Sequence, residues 1–353
     1  MSTFWSPAIR SLTPYTPGEQ PGIDGLIKLN TNENPYPPAP AVQQVIATFD
    51  AERLRLYPDP ECRSLKQALA NTQGLQPRQV FVGNGSDEVL ALAFMAFLRQ
   101  DQPVLLPQIS YSFYNVYLEL FGIEARHIPL RADFSINLDD YQERNGGIIF
   151  ANPNAPTGIA IPLGEIRRLL ERNRESVVIV DEAYVDFGAE SATALVNEFP
   201  NLLVSQTFSK SRSLAGMRVG FAYGQAELIE GLERVKNSFN SYPLDMLAQR
   251  VAIAALEDRA YFDRRCRQII ATREWSTAQL TALGFEVLPS HANFLFASHP
   301  NVAGAELMQH LREQRILVRH FPQPGIDNHL RITVGTDEQM RALLDCLARH
   351  PAL

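Results

Sequence analysis

At 353 residues the chain is long enough for two domains or one large α/β unit. Its composition, 45% hydrophobic and 20% charged, is that of a globular enzyme rather than a disordered or fibrous protein. A net charge of −7 argues against a nucleic-acid-binding protein, whose phosphate contacts need clustered lysine and arginine, although a few local cations suffice for one small anionic ligand.

The first 40 residues are rich in proline and predict an extended arm, with a short strand at residues 26–29. After Pro60, short apolar strands alternate with helices, a pattern typical of a mostly parallel sheet covered by helices. The first helix of this region places Leu65, Ala68 and Leu69 on one face. The predicted strands are 80–82, 104–106, 148–150, 177–180, 202–205 and 219–223, and further helices are predicted at 86–98, 111–121 and 162–172.

The pattern changes after about residue 243. Helical stretches are predicted at 243–283, 302–314 and 336–349, with brief strands near residues 285, 294, 316 and 332. This predicts a second, smaller α+β domain. We therefore divide the chain into an arm at 1–26, a large domain at 27–250 and a small domain at 251–353.

Three sequence features bear on metals, disulfides and membranes. The three cysteines are far apart without a CxxC pair, and the seven histidines lack ligand spacing, so we expect neither a disulfide framework nor a metal site. The first residues lack the pattern of a signal peptide, and the longest apolar run, 89–98, is about half of what spans a bilayer. We expect a cytoplasmic enzyme.

Polar segments directly follow two predicted strands, at the edge where ligands of open α/β sheets bind. Residues 83–88 (GNGSDE) combine glycines with a helix start, whose free N–H groups favour a phosphate. An ordinary capped helix is the stronger interpretation of that segment alone. Residues 152–158 (NPNAPTG) present asparagine amides, although a plain turn has a similar composition.

A carboxylate, Asp181, follows the apolar strand 177–180. Its burial is costly unless it meets a cation or a strong donor, and the protonated ring nitrogen of a cofactor is such a partner. Tyr184 lies within reach of the same ring. A helix cap is the alternative role for Asp181 taken alone.

The most specific segment is 207–220, where Lys210 sits in a serine-rich, glycine-punctuated loop after a buried strand. A lysine amine forms a Schiff base with an aldehyde, and burial lowers its pKa towards neutrality. Ser209 and Arg218 suit a phosphate monoester. A lone lysine is usually a solvated surface residue, but this surrounding pattern favours a catalytic one. Near the C terminus, Arg331 lies in an apolar strand, where a desolvated guanidinium binds carboxylate or phosphate strongly; a surface ion pair is the alternative.

The run Ser209-Lys210, followed by Leu214-Ala215-Gly216-x-Arg218-x-Gly220, resembles the lysine segment of the pyridoxal-phosphate enzymes with the aspartate-aminotransferase fold. Residues 29–37 (LNTNENPYP), 57–59 (YPD), 181–187 (DEAYVDF) and the Arg331 strand resemble the histidinol-phosphate aminotransferase family. The similarity runs from Pro14 to about residue 336. It implies fold type I: a mostly parallel central sheet flanked by helices, a smaller α+β C-terminal domain and an N-terminal arm, in a homodimer.

The resemblance also implies residue roles. Lys210 forms the Schiff base with pyridoxal 5′-phosphate and moves the substrate proton, Asp181 pairs with the pyridine nitrogen, and Tyr184 contacts the ring oxygen. The other cofactor-binding residues implied are Gly85, Ser86, Asp87, Tyr111, Asn154, Ser209, Arg218 and, across the dimer interface, Tyr57. The substrate-binding residues implied are Tyr15, Asn34, Asn293, Arg319 and Arg331.

One position departs from the family pattern. Relatives often have a second asparagine where this chain has Ala155, and in the wider superfamily that residue contacts the ring oxygen. We assign the contact to Asn154, with Asn152 as the alternative.

The implied reaction interconverts L-histidinol phosphate with 2-oxoglutarate and imidazole-acetol phosphate with L-glutamate, without a metal. An aromatic amino-acid aminotransferase and a phosphothreonine decarboxylase are alternatives of the same fold. A silent regulatory protein is a third alternative, but such regulators carry a DNA-binding segment for which this chain has neither spare length nor a basic patch.

Overall fold

A computed structural model describes residues 3–353, so the first two residues of the predicted arm lie outside the described part. The helices are α1 (Pro7–Arg10), α2 (Pro40–Ala47), α3 (Arg63–Gln73), α4 (Gly85–Ala93), α5 (Phe113–Phe121), α6 (Leu163–Arg172), α7 (Ala226–Phe239), α8 (Met246–Glu257), α9 (Arg259–Ala282), α10 (Gly304–Glu313) and α11 (Asp337–Leu347). The strands are β1 (Ile27–Lys28), β2 (Val80–Asn84), β3 (Val104–Pro107), β4 (Ala125–Ile128), β5 (Gly147–Ala151), β6 (Val178–Asp181), β7 (Leu202–Thr207), β8 (Val219–Gly224), β9 (Glu286–Val287), β10 (Phe294–Ser298), β11 (Ile316–Leu317), β12 (Arg319–His320) and β13 (His329–Thr333).

The central sheet has seven strands in the order β2-β8-β7-β6-β5-β3-β4. Only β8 runs against the others, pairing antiparallel with both β2 and β7. This reversal needs no crossover helix, because antiparallel neighbours can be joined by a short connection. Residues 208–218 make that connection and carry the lysine loop. The predicted mostly parallel sheet flanked by helices is confirmed.

Both faces of the sheet are covered. Successive residues of β6 enter different apolar clusters: Val178 and Val180 pack on one side of the sheet, and Ile179 packs on the other. Helix α3 adds Leu65 and Leu69 to the first cluster. Burial of each such side chain contributes on the order of 1.5–3 kcal/mol. Because both faces of the sheet are buried, these strands have apolar residues at successive positions in the sequence.

A second, four-stranded antiparallel sheet has the order β12-β13-β10-β9 and its own apolar cluster with α10 and α11. Strand β1 pairs in parallel with β11, and Leu29 belongs to that same cluster. The predicted boundary at residue 27 places β1 in the large domain, whereas its hydrogen bonds are to the C-terminal part. Helix α8 packs with the first sheet, so its predicted division at residue 250 cuts through a continuous helix.

Some elements differ from the sequence prediction. Helix α2 is not among the predicted elements, which pass from the proline-rich segment ending at residue 40 to a first helix after Pro60. Pro40 lies in the first turn of α2, where proline is tolerated. Helix α7 was not predicted at all. Strand β4 was also missed, because it is a short strand at the end of the sheet and only Ile128 is buried. The predicted helix 86–98 ends as an α-helix at Ala93 and continues as a π-helical turn over Phe94–Leu98.

The described residues were also inspected for metals, disulfides and membrane spans. Cys62, Cys266 and Cys346 are buried, free thiols. Within 3–353, His, Cys, Asp and Glu side chains nowhere gather in a group of three that could hold a metal ion. In the same part of the chain, no helix has the length and apolarity needed to cross a membrane.

Candidate active site

A cavity of about 250 Å³ lies at the carboxyl ends of β5, β6 and β7, beside the second sheet. Ala151, Asp181 and Thr207 end those three strands and all line it. Most of the predicted site residues meet here. Those that line the cavity are Tyr15, Ser86, Asp87, Tyr111, Asp181, Tyr184, Ser209, Lys210, Arg218, Arg319 and Arg331.

Lys210 projects its amine into this cavity. Its Nζ donates a hydrogen bond to the backbone oxygen of Thr31 at 3.1 Å and lies 5.9 Å from the centre of the Tyr184 ring. Burial, helped by the positive charge of Arg331, lowers the pKa of Lys210 to about 8. About a tenth of the amine is therefore neutral at pH 7, and a nucleophilic amine must be neutral to react.

Asp181 is a buried acid without a charged donor. Its Oδ2 accepts a hydrogen bond from the Tyr114 hydroxyl at 2.8 Å, and its Oδ1 accepts one from the Ala183 backbone N–H at 3.3 Å. Burial raises the pKa of Asp181 to about 6, and the hydrogen bond from Tyr114 opposes this rise. A cationic ring nitrogen placed at this carboxylate would favour its ionised form.

The start of α4 forms an anion-binding corner. Gly85 has a φ of 83° and precedes the free N–H groups of Ser86 and Asp87. A Cβ at Gly85 would lie 2.5 Å from the Arg218 guanidinium, so glycine allows this close approach. Arg218 donates to Asp87 Oδ2 at 3.0 Å. Helix N–H groups beside a guanidinium suit a phosphate monoester.

Two hydroxyls face the same corner from the end of β7. The Thr207 hydroxyl donates to Ser209 Oγ at 3.0 Å, and both residues line the cavity. Across from them, the Tyr111 hydroxyl donates to Asp87 Oδ1 at 3.0 Å. Burial raises the pKa of Tyr111 well above its usual value, so this residue stays a neutral aromatic wall.

The second sheet contributes a pair of arginines. Arg319 and Arg331 face each other across the antiparallel β12–β13 pair. Arg331 donates to the Asn30 backbone oxygen at 3.0 Å while its Nε has no hydrogen-bond partner. Burial lowers the pKa of Arg331. Two adjacent cations with spare donors, one of them partly desolvated, form a site for a small anion.

The sequence analysis assigned the contact with the ring oxygen to Asn154, but Asn154 does not line the cavity. The Asn154 amide donates to the Ile109 backbone oxygen at 3.0 Å and accepts from Ser110 Oγ at 2.8 Å. Asn152 is tied in the same way to the backbone of Ile161. The loop instead turns Ala155 into the cavity wall.

Four other predicted residues also lie outside the cavity wall. Asn34 donates to the backbone oxygens of Lys210 and Ser211, so it holds the lysine loop rather than facing a substrate. Asn293 donates to the Asn32 backbone oxygen at 3.0 Å. Tyr57 is 80% exposed and stacks on another surface tyrosine, and Gly85 acts through its backbone conformation.

The structure adds three residues that the sequence analysis did not assign. Thr31 and Asn32 line the cavity between Lys210 and Tyr184, and Tyr114 reaches Asp181. A signal for the first two was available, because residues 30–34 are polar and directly follow the predicted strand 26–29. Tyr114 had none, since it reads as an ordinary core residue of its helix.

Comparison with known proteins agrees with this geometry. Residues 24–347 match the family model for class I and II aminotransferases. The chain is 62% identical to histidinol-phosphate aminotransferase 2 of Dechloromonas aromatica over 98% of this chain and 99% of the relative. It is 58% identical to histidinol-phosphate aminotransferase of Acinetobacter baylyi over 98% and 96%. The crystal structure of histidinol-phosphate aminotransferase from Sinorhizobium meliloti in complex with pyridoxal-5′-phosphate has the same fold, with a TM-score of 0.89 at 24% identity over 98% and 97% of the chains.

Proposed function

We propose a specific transaminase reaction for this chain, which belongs to the class I and II aminotransferases and, among them, to the histidinol-phosphate aminotransferase family. The enzyme transfers the amino group between L-histidinol phosphate and 2-oxoglutarate, giving imidazole-acetol phosphate and L-glutamate, in histidine biosynthesis. The observation that carries this proposal is one cavity whose wall combines Lys210, with a pKa lowered to about 8, a buried acid and a pair of arginines.

The residues fit pyridoxal 5′-phosphate as the cofactor. Lys210 presents an amine for its aldehyde, Asp181 a buried carboxylate for its ring nitrogen, and the start of α4 with Arg218 a corner for its phosphate. When bound, this cofactor supplies an aldehyde that bonds to amines and a ring that accepts electrons from the carbon beside them.

Lys210 is also the residue suited to proton transfer. With the cofactor bound, its Nζ would take the proton from the substrate Cα and pass it to the carbon of the cofactor that carried the aldehyde, and it would move a proton the opposite way in the second half-reaction. Its lowered pKa keeps part of the amine neutral for that task. The hydrogen bonds from Asn34 to the backbone of residues 210 and 211 fix the loop that carries the amine. Such positioning of reacting groups is a major source of rate enhancement.

Arg319 and Arg331 hold the far end of the substrate. Histidinol phosphate has a phosphate there, and glutamate has a second carboxylate, so one cationic pair serves both amino donors. Tyr15 lies on the same wall and packs against Phe113, with ring centres 4.9 Å apart. The arm thereby contributes one residue to the cavity wall.

A second copy of the chain completes the site in this proposal. Several large apolar side chains are exposed near Tyr57 in the sequence, or at and near its stacking partner Tyr242, which favours an interface over a free surface. They are Leu54, Leu56, Phe239 and Tyr242. Tyr57 stacks on Tyr242 with ring centres 4.6 Å apart, and its exposed hydroxyl is assigned to the cofactor phosphate of the partner.

A substrate panel tests the reaction. Purified protein loaded with pyridoxal phosphate is incubated with 2-oxoglutarate and histidinol phosphate, phenylalanine or phosphothreonine, and glutamate and CO₂ are measured. We expect glutamate chiefly from histidinol phosphate. Glutamate from phenylalanine alone, or CO₂ from phosphothreonine, would overturn the assignment in favour of an aromatic aminotransferase or a decarboxylase.

Borohydride reduction followed by peptide mapping tests the central residue. We expect the cofactor label on Lys210 and, in Lys210→Ala, loss of the visible absorbance band with a fall in turnover of several orders of magnitude. A label on another lysine, or unchanged turnover in the variant, contradicts the proposal.

A further inference from the structure

The Tyr184 hydroxyl accepts a hydrogen bond from a neighbouring side chain. Asn32 Nδ2 donates to Tyr184 Oη at 3.0 Å, and both residues are buried. A phenol has one proton and can also accept. Because its oxygen already accepts from Asn32, the Tyr184 proton is left for an acceptor in the cavity that the tyrosine lines.

The orientation of the Asn32 amide is set by its other contacts. Its backbone has a φ of 56°, a left-handed conformation that asparagine tolerates better than most residues. Its backbone N–H donates to Thr333 Oγ1 at 2.9 Å, and the Thr333 hydroxyl donates back to Asn32 Oδ1 at 3.1 Å. With the amide oxygen taken by Thr333, the amide nitrogen points to Tyr184.

The 152–158 loop offers no replacement for this donor. Ala155, which belongs to the same apolar cluster as Tyr184, lines the cavity with a methyl group. The amides of Asn152 and Asn154 donate instead to the backbone oxygens of Ile161 and Ile109. An acceptor beside Tyr184 and Ala155 therefore depends on Tyr184 for its hydrogen bond.

We propose that Asn32 is a positioning residue that directs the Tyr184 proton to the ring oxygen of the bound cofactor. This inference rests on the proposed function, since it needs pyridoxal phosphate in the cavity. In this proposal the Asn32–Tyr184 pair provides the hydrogen bond to the ring oxygen that the methyl group of Ala155 cannot donate.

The proposal has a spectroscopic consequence. In the bound cofactor the phenolic oxygen would be anionic, and it is attached to the ring carbon next to the one that carries the aldehyde carbon, so its charge would stabilise a proton on the Lys210 nitrogen. A donor to that oxygen offsets part of the charge and lowers the pKa of the cofactor-bound Lys210 nitrogen. Loss of the donor raises that pKa.

Asn32→Gly is the variant of choice, because glycine adopts a φ of 56° without strain and keeps the backbone contacts of residue 32. The measurement is the pH midpoint of the visible absorbance change of the pyridoxal-phosphate-loaded enzyme. We expect an upward shift of about 0.5–1 pH unit, the size of one net hydrogen bond. Tyr184→Phe should shift the midpoint upward as well, and the double variant should shift no further than Tyr184→Phe.

A matched pair at residue 333 separates positioning from general loosening. Thr333→Ser keeps the hydroxyl that orients Asn32 and should leave the midpoint in place, whereas Thr333→Val should move it in the direction of Asn32→Gly. An unshifted midpoint in Asn32→Gly, or an equal shift when Tyr184 is already phenylalanine, overturns the inference. Failure of the unmodified enzyme to bind pyridoxal phosphate would instead overturn the proposed function.

Discussion

Burial acts on Lys210 and Asp181 in the same physical sense, since it favours the neutral form of each. The pKa of Lys210 falls to about 8, and the pKa of Asp181 rises to about 6. For the lysine this creates a usable nucleophile. At neutral pH the Asp181 carboxylate is charged, and its charge is stabilised by hydrogen bonds from the Tyr114 hydroxyl and the Ala183 backbone N–H. A cationic ring nitrogen would therefore find a strong partner in Asp181.

The lowered pKa of Lys210 predicts the pH dependence of cofactor attachment. Only the neutral amine reacts with an aldehyde, and its fraction rises about tenfold per pH unit below the pKa. The rate at which cofactor-free protein captures pyridoxal phosphate should therefore climb up to pH 8 or so and level off above it. Stopped-flow absorbance measures this rate. A tenfold rise per unit that continues to pH 10 would show an ordinary, unburied lysine.

The raised pKa of Asp181 predicts a stability cost in the cofactor-free protein. Because the folded pKa lies above the ordinary value of 3.8, the native state is favoured at low pH, and this advantage is lost as the pH rises through about 6. The difference corresponds to about 3 kcal/mol. Asp181→Asn, which keeps an oxygen for Tyr114, should not pay this cost.

Equilibrium unfolding in urea checks that expectation. The free energy of unfolding of Asp181→Asn, minus that of the unmodified protein, should grow between pH 4 and pH 6 by up to about 3 kcal/mol and then stay constant. With cofactor bound, the same variant should lose most of its turnover. A difference that does not depend on pH would mean that burial does not set the pKa of Asp181.

At the scale of elements, the anion-binding corner at the start of α4 depends on the contact between α4 and β8. A Cβ at Gly220 would lie 2.2 Å from the Gly85 carbonyl carbon and 2.3 Å from the Ser86 nitrogen. Gly220→Ala should push the start of α4 out of place and weaken pyridoxal-phosphate binding by about 5- to 150-fold, which corresponds to about 1–3 kcal/mol for overpacking. Fluorescence or absorbance titration of cofactor-free protein measures the affinity.

Gly216 offers the matched control for that substitution. It lies in the same lysine segment, but a Cβ there meets nothing within 4 Å. Gly216→Ala should bind the cofactor as the unmodified protein does. Equal loss in both variants would mean that any alanine in this segment disturbs the loop, and would remove the argument from the α4–β8 contact.

The elements differ in how readily the sequence predicts them. Strands such as β5 and β6 are apolar runs because both sheet faces are covered, and their positions follow to within a residue or two. The strand-end rule then locates Asp181 and the lysine loop. Local sequence patterns do not predict contacts between distant segments. The Asn32–Tyr184 hydrogen bond joins residues that are 152 positions apart, and the Tyr114–Asp181 hydrogen bond joins residues that are 67 positions apart. For the same reason the sequence could not show which asparagine of the 152–158 loop faces the cavity.

At the scale of the whole molecule, the site is assembled from three parts of the chain. The central sheet supplies Lys210 and Asp181, the second sheet supplies Arg319 and Arg331, and the arm supplies Tyr15. Residues 29–34 connect these parts, since Thr31 accepts from the lysine and Asn32 accepts from Asn293. Tyr57 lies apart from these residues, on the exposed apolar surface described above.

Mixing two impaired variants tests whether Tyr57 serves a partner subunit. A dimer of Lys210→Ala with Tyr57→Phe contains one site in which both an intact Lys210 and an intact Tyr57 meet, but only if the tyrosine crosses the interface. Adding Lys210→Ala, which has no turnover of its own, should therefore raise the turnover per Tyr57→Phe subunit after subunit exchange. The matched control adds a doubly substituted Lys210→Ala, Tyr57→Phe chain, which has no intact tyrosine to donate and should give no gain. If the two additions have the same effect, Tyr57 does not act across an interface, and the exposed apolar surface around it needs another explanation.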